Sequence, residues 1–142
     1  MNIFYFKTDS ICLYPAIPYL YLMSKKTVVI GASTNPERYS YKATERLTAH
    51  GHEVVPVGLK EGEIHGLQII KGMPIIEGAH TVTMYVGPQN QASYYDYIMS
   101  LNPKRVVFNP GTENPEFEAK LEAKGIEAIE ACTLVMLSVG NY

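Results

Sequence analysis

A chain of 142 residues, 46% hydrophobic and 18% charged, has the length and composition of one ordinary globular domain and not of a disordered segment. Its net charge of −2 gives no broad electrostatic footprint for nucleic acid or an anionic membrane, so any anion must be held by local groups. The two cysteines, Cys12 and Cys132, exclude a disulfide framework, and the four histidines (His50, His52, His65, His80) show no metal-ligand spacing; a reducing, cytoplasmic setting is expected.

Residues 1–22, MNIFYFKTDSICLYPAIPYLYL, are apolar but interrupted by Lys7, Asp9, Pro15 and Pro18. They are too broken for a membrane span and lack the basic start and continuous apolar core of a secretory signal. Met23 with Ser24-Lys25-Lys26 makes a natural domain start. Residues 1–22 are therefore expected to lie outside a core of residues 23–142, the rival being an added strand or a partner-binding arm.

Thr27-Val28-Val29-Ile30 is a β-branched run that fits a strand buried on both faces. It meets Gly31, Ala32 and Ser33, then a polar loop with Thr34, Asn35, Pro36 and Arg38. Gly31 can adopt a backbone conformation closed to other residues and leaves no Cβ between main chain and ligand. A helix predicted from the N-cap Ser40, with Ala43 and Leu47 on one face and a stop at Gly51, aims unpaired N–H groups at the same spot. Such a turn suits phosphate. The dinucleotide fingerprint wants three glycines, and here Ser33 and Pro36 follow Gly31, which argues against a standard NAD site.

Glu53–Val57, ended by Gly58, predicts the second strand. Residues 59–79 are punctuated by glycines and are expected to be irregular, with short extended pieces at Ile64 and Ile75-Ile76. Thr81–Val86 predicts the third strand, Gln89–Leu101 a helix with Tyr94, Ile98 and Leu101 at helical spacing, and Arg105–Phe108 the fourth strand. Asn114-Pro115-Glu116 is a strong helix start; Phe117 and Leu121 should face inward, Glu116 and Lys120 should pair, and Gly125 should end the helix. Ile126–Ile129 predicts the fifth strand, and Thr133–Val139 a last helical turn.

Alternating strands and helices predict a single Rossmann-like, doubly wound α/β domain with a five-stranded, mainly parallel sheet. Right-handed crossovers would bring the ends of strands one, three and four, at Gly31-Ala32-Ser33, Val86-Gly87-Pro88 and Asn109-Pro110-Gly111, around one crevice. All three ends are small or turn-forming, leaving a backbone-lined cleft for an extended ligand.

VVIGAS at the first turn, the Arg38–Tyr41 segment, Val55-Pro56-Val57 with Lys60, and Ile64–Gly66 resemble the opening half of the stand-alone CoA-binding domain proteins. Asn109–Asn114 and Glu130-Ala131-Cys132-Thr133 fit the later half, so the resemblance runs from Met23 to about Val139. That domain is similar to the N-terminal domain of the succinyl-CoA synthetase α subunit. The resemblance implies that Gly31, Ala32 and Ser33 cradle the pyrophosphate of coenzyme A, with the neighbouring Thr34 and Asn35 also among the cofactor-binding residues. It implies Arg38, Tyr41 and Lys60 near the phosphates, Pro56-Val57 near the adenosine, and Val86-Gly87 and Pro110-Gly111 along the pantetheine arm. Two departures stand out. The synthetase's phosphohistidine belongs to a second domain that these residues do not supply, and Thr81-Val82-Thr83 replaces a third strand that in many relatives starts after an Asp.

No Ser–His–acid set, acid pair or thiolate motif stands at recognisable spacing, so no catalytic residue is named. Cys132, just after the last strand, is either a packing residue or a thiol beside that of CoA. The expectation is a module that binds a small nucleotide ligand, CoA or an acyl-CoA, without nucleic acid or membrane, as a homo-oligomer or with a partner subunit. The alternative is an NAD(P)-binding enzyme or sensor. It must explain Val57-Gly58 where an acid should grip the ribose, with only Glu61 or Glu63 nearby. A third class is an interaction domain that has lost its ligand.

Overall fold

A computed structural model describes residues 24–142; the expectations on residues 1–22 and on Met23 lie outside the described residues. Five strands form where the apolar runs predict them: β1 (Thr27–Ile30), β2 (Val54–Gly58), β5 (Thr81–Met84), β6 (Arg105–Phe108) and β7 (Glu127–Glu130). β5 is shorter than its apolar run, ending at Met84. Among the described residues, however, the sheet has seven strands and not five, since β3 (Gly62–Ile64) and β4 (Leu67–Lys71) join it, in the order β3-β4-β2-β1-β5-β6-β7.

The additional pair is a hairpin, β3 (Gly62–Ile64) and β4 (Leu67–Lys71), drawn from the stretch expected to be irregular. Its two-residue loop is His65-Gly66, both at positive φ (46° and 87°), which matches the right-handed twist of the flanking strands. Histidine in place of the usual Asn or Asp hides that turn from a sequence reading. β4 then pairs in parallel with β2 through Val57↔Ile70 and Gly58↔Lys71. The extended piece at Ile64 is thus β3, whereas Ile75-Ile76 is not a strand: Ile76 packs into the core and Ile75 is 93% exposed.

All other pairings are parallel. β1 and β5 are buried at every position, as a sheet covered on both faces requires. Successive side chains of β1 enter different cores. Val28 and Ile30 pack with Ile98, Phe117 and Leu121, while Val29 packs with Leu47 and Leu137. Helices α2 (Tyr95–Ser100) and α3 (Pro115–Ala123) therefore cover one face, and α1 (Tyr39–Ala49) and α4 (Thr133–Val139) the other. The described residues form an α/β fold with a mainly parallel sheet and four α-helices.

Three local expectations are corrected. α1 starts at Tyr39 with Arg38 as N-cap; Ser40 is buried inside the helix, its carbonyl accepting from Thr44 Oγ1 at 2.9 Å. The helix expected over Gln89–Leu101 is divided into two 3₁₀ turns, Pro88–Asn90 and Ala92–Tyr94, before α2. Between them the Gln91 carboxamide is tied to distant backbone, and its own N–H donates to Pro88 O at 3.2 Å, the i−3 pattern of a tight turn. Glu116 and Lys120 make no ion pair; among the described residues the pairs are Lys26–Glu53 and His65–Glu45. Both side chains are exposed, where such a pair gains little over water. The Asn114 cap forms as expected, its Oδ1 accepting from Phe117 N at 3.2 Å.

Candidate functional site

β1 lies where the strand order reverses: its first crossover leads to β2 on one side and the later one to β5 on the other. Loops leaving the C-terminal ends of adjacent strands in opposite directions open a crevice there. The first loop begins at Gly31, φ +96°, a conformation side-chain-bearing residues rarely adopt. The Gly31 and Ala32 N–H groups both donate to the Val57 carbonyl, at 3.0 and 2.9 Å, folding the turn over β2.

A Cβ on Gly31 would lie 2.9 Å from the Tyr85 carbonyl oxygen and 3.2 Å from Val86 Cγ2. The missing Cβ, expected to make room for ligand, is thus accounted for by the end of β5. Gly58 plays the matching part at the end of β2, where a Cβ would lie 2.5 Å from the Ala32 carbonyl oxygen. These two glycines bring the ends of β1, β2 and β5 together.

The result is a cleft of about 970 Å³. One side is the β1–α1 loop, Gly31, Ala32, Ser33 and Thr34, with Arg38. A second is Leu59, Lys60 and Glu61 after β2. The third is Tyr85, Val86 and Gly87, continued by Gln89, Asn90, Ala92, Ser93 and Tyr94 of the 3₁₀ turns. Eight of the residues predicted from the sequence therefore meet here: Gly31, Ala32, Ser33, Thr34, Arg38, Lys60, Val86 and Gly87.

The other predicted residues stand outside the lining. Asn35 shapes the loop, its Oδ1 accepting from Glu37 N at 2.9 Å. The Tyr41 hydroxyl lies 3.1 Å from His65 Nε2, which also faces Glu45 Oε2 at 2.8 Å, so α1 is pinned to the hairpin. Pro56 and Val57 are buried within β2, and Pro110 and Gly111 are exposed on the loop after β6.

The crevice expected from the ends of β1, β5 and β6 is thus formed by β1, β2 and β5. The end of β6 is closed by Asn109, whose Nδ2 donates to Thr83 Oγ1 (2.7 Å) and Met84 O (2.8 Å) while Oδ1 accepts from Thr133 N (2.8 Å). Cys132 is half-buried at the N-cap of α4, and it too lies outside the cleft lining.

Electrostatically the cleft is locally cationic in an acidic chain. Arg38 and Lys60 are exposed and have no ion-pair partner among the described residues. α1 has no side-chain cap and no acid in its first turn, so its free N–H groups and dipole remain available to an anion. Glu61 is the acid in the lining.

The sequence reading missed Leu59, 79% exposed beside the cleft, and the polar wall Gln89, Asn90 and Ser93. Gly87-Pro88 was the available hint, since proline favours the start of a turn, but nothing distinguished the turns from the helix. Among the described residues, no three His, Cys, Asp or Glu side chains cluster to hold a metal ion, and no helix is long and apolar enough to cross a membrane.

Comparison with known proteins bears on the fold and the family. The chain is 57% identical to an uncharacterized protein of known crystal structure, covering 84% of this chain and 98% of that one with a TM-score of 0.82. A conserved hypothetical protein of Pyrococcus furiosus is 27% identical over 78% of this chain and 97% of its own, with a TM-score of 0.69. A hypothetical protein of Pyrococcus horikoshii OT3, 24% identical over 95% of this chain and 98% of its own, shares the fold with a TM-score of 0.75. No curated protein matches the chain. Residues 25–138 match the model described as CoA binding domain, and the chain belongs to that family.

Proposed function

We propose that this chain is a Rossmann-like module that binds coenzyme A or an acyl-CoA in the cleft at the ends of β1, β2 and β5, without catalytic machinery of its own. The observation that carries the reading is the convergence of an uncapped α1 N-terminus with Arg38 and Lys60 in a cleft of a CoA-binding-domain chain. A guanidinium and an ammonium suit phosphate oxygens, and half-buried Ser33 and exposed Thr34 present polar groups beside them in the cleft lining. Pro56 and Val57 are buried, so the adenosine contact expected of them passes to exposed Leu59. The pantetheine path expected along Pro110-Gly111 passes to the wall of residues 86–94. When bound, CoA supplies a thiol that carries acyl groups as thioesters.

A second reading, NAD(P) binding, has Glu61 in its favour, because this acid lines the cleft near the end of β2. Glu63 does not share that position; its carboxylate accepts from Gly66 N at 3.1 Å within the hairpin. Calorimetric titration with CoA, NAD and NADP separates the readings. CoA is expected to bind clearly better than either nicotinamide nucleotide, and dephospho-CoA somewhat less well than CoA through loss of a phosphate contact with Lys60 or Arg38. NAD binding tighter than CoA would overturn the proposal in favour of the second reading.

A further inference from the structure

Gln91 sits between the two 3₁₀ turns, its side chain fully buried, while its neighbours Asn90 and Ala92 both line the cleft. Its carboxamide engages three residues on two separate segments, the end of β5 and the loop before α3. Nε2 donates to the Val86 carbonyl at 2.8 Å and to the Thr112 carbonyl at 2.7 Å, and Oε1 accepts from Asn114 Nδ2 at 2.9 Å. Asn114 is itself fixed, donating to the Tyr95 hydroxyl at 2.9 Å and capping α3.

A buried carboxamide with both N–H groups and its oxygen engaged is costly to disturb, because each partner left unpaired pays its desolvation in full. An apolar side chain would fill the same space without holding the Val86 carbonyl or the turns on either side. The carboxamide thus does something packing alone does not. It fixes the end of β5 and the wall beyond it against a loop and a helix that stand outside the cleft.

We propose that Gln91 is a positioning residue that sets the cleft wall of residues 86–94, against which the arm of the ligand beyond the diphosphate lies. It thereby determines the preference for CoA over its nucleotide portion. The inference rests on the CoA reading and deepens it, since the wall is remote in sequence from Gly31–Ser33, Arg38 and Lys60, which would hold the nucleotide end.

Calorimetric titration of the full chain with CoA and with adenosine 3′-phosphate 5′-diphosphate, which lacks the pantetheine arm, tests this. The proteins compared are the parent, Gln91→Met and Asn114→Ser. Gln91→Met is expected to weaken CoA about tenfold, the effect of having to order on binding a wall that is no longer preorganised, and to leave the nucleotide unchanged. Asn114→Ser keeps a good helix cap but removes the partner of Gln91 Oε1, so about a threefold loss for CoA alone is expected. It also secures the test if Gln91→Met does not fold.

A merely structural role would lower the melting temperature and weaken both ligands alike, or neither; that result would overturn the positioning role while leaving the CoA reading standing. Failure of the parent protein to bind either ligand would overturn both.

Discussion

Replacing Gly31 with alanine would set a methyl group 2.9 Å from the Tyr85 carbonyl oxygen at a φ of +96°. The expected cost is about 1–3 kcal/mol of stability in the absence of any ligand, read as a lower urea midpoint. An unchanged midpoint would return the glycine to a purely ligand-driven role. His52 makes a different kind of residue-scale prediction. Its Nδ1 accepts a hydrogen bond from Lys25 N at 2.9 Å, which a protonated ring cannot do. Burial first, then Lys25, His50, Arg105 and His80, hold its pKa below the ordinary 6.5, and His80 is lowered by burial, Arg105, Lys25 and Lys104. Below pH 6.5 the unfolded chain thus binds more protons than the folded one. Stability should be at its plateau above that pH and should be lost progressively as pH falls through the depressed folded values. Urea denaturation at pH 7.5 and pH 5 should show the fall, and His52→Gln should reduce its slope; equal slopes would contradict the assignment.

The packing of whole elements is tested at Phe117, where α3 meets the sheet. Its ring stacks on Tyr95 with centroids 4.2 Å apart and meets the Phe108 ring edge-on at 5.9 Å, with no solvent exposure. Phe117→Ala should therefore cost about 3–5 kcal/mol by chemical denaturation. A loss under 1 kcal/mol would mean that α3 is not anchored there. Phe117 was legible in the sequence because it follows the Asn114-Pro115 start and repeats at Leu121. The parallel strands were legible too, since burial on both faces imposes continuous β-branched runs. The hairpin was not, because β3 and β4, of three and five residues, are too short to show a clear period and their turn uses His65-Gly66. The wall after β5 was hidden for another reason. Gln91 shapes it through partners 5, 21 and 23 residues away, at Val86, Thr112 and Asn114, and no local pattern carries such a bond. The candidate site divided in the same way: Gly31–Thr34 follow from one local turn, whereas excluding Pro110 and Gly111 required knowing that Asn109 turns inward.

At the scale of the molecule, the groups proposed to hold an anion lie at one end of the sheet, on side chains the fold does not need. Arg38 is exposed and without an ion-pair partner among the described residues, so Arg38→Ala should leave the melting temperature nearly unchanged. It should weaken CoA by about one to two decades, the loss of one charge-assisted contact worth roughly 1.5–3 kcal/mol. Calorimetry beside a thermal melt reads both, and a large fall in melting temperature would make Arg38 structural instead. The measurement that bears most directly on the central claim is an amide NMR titration of the chain with CoA. Shifts are expected to concentrate at Gly31–Thr34, Lys60 and the wall from Val86 to Tyr94, leaving the opposite end of the sheet around His52 and His80 unmoved. Saturable shifts centred anywhere else, or none at millimolar CoA, would contradict it.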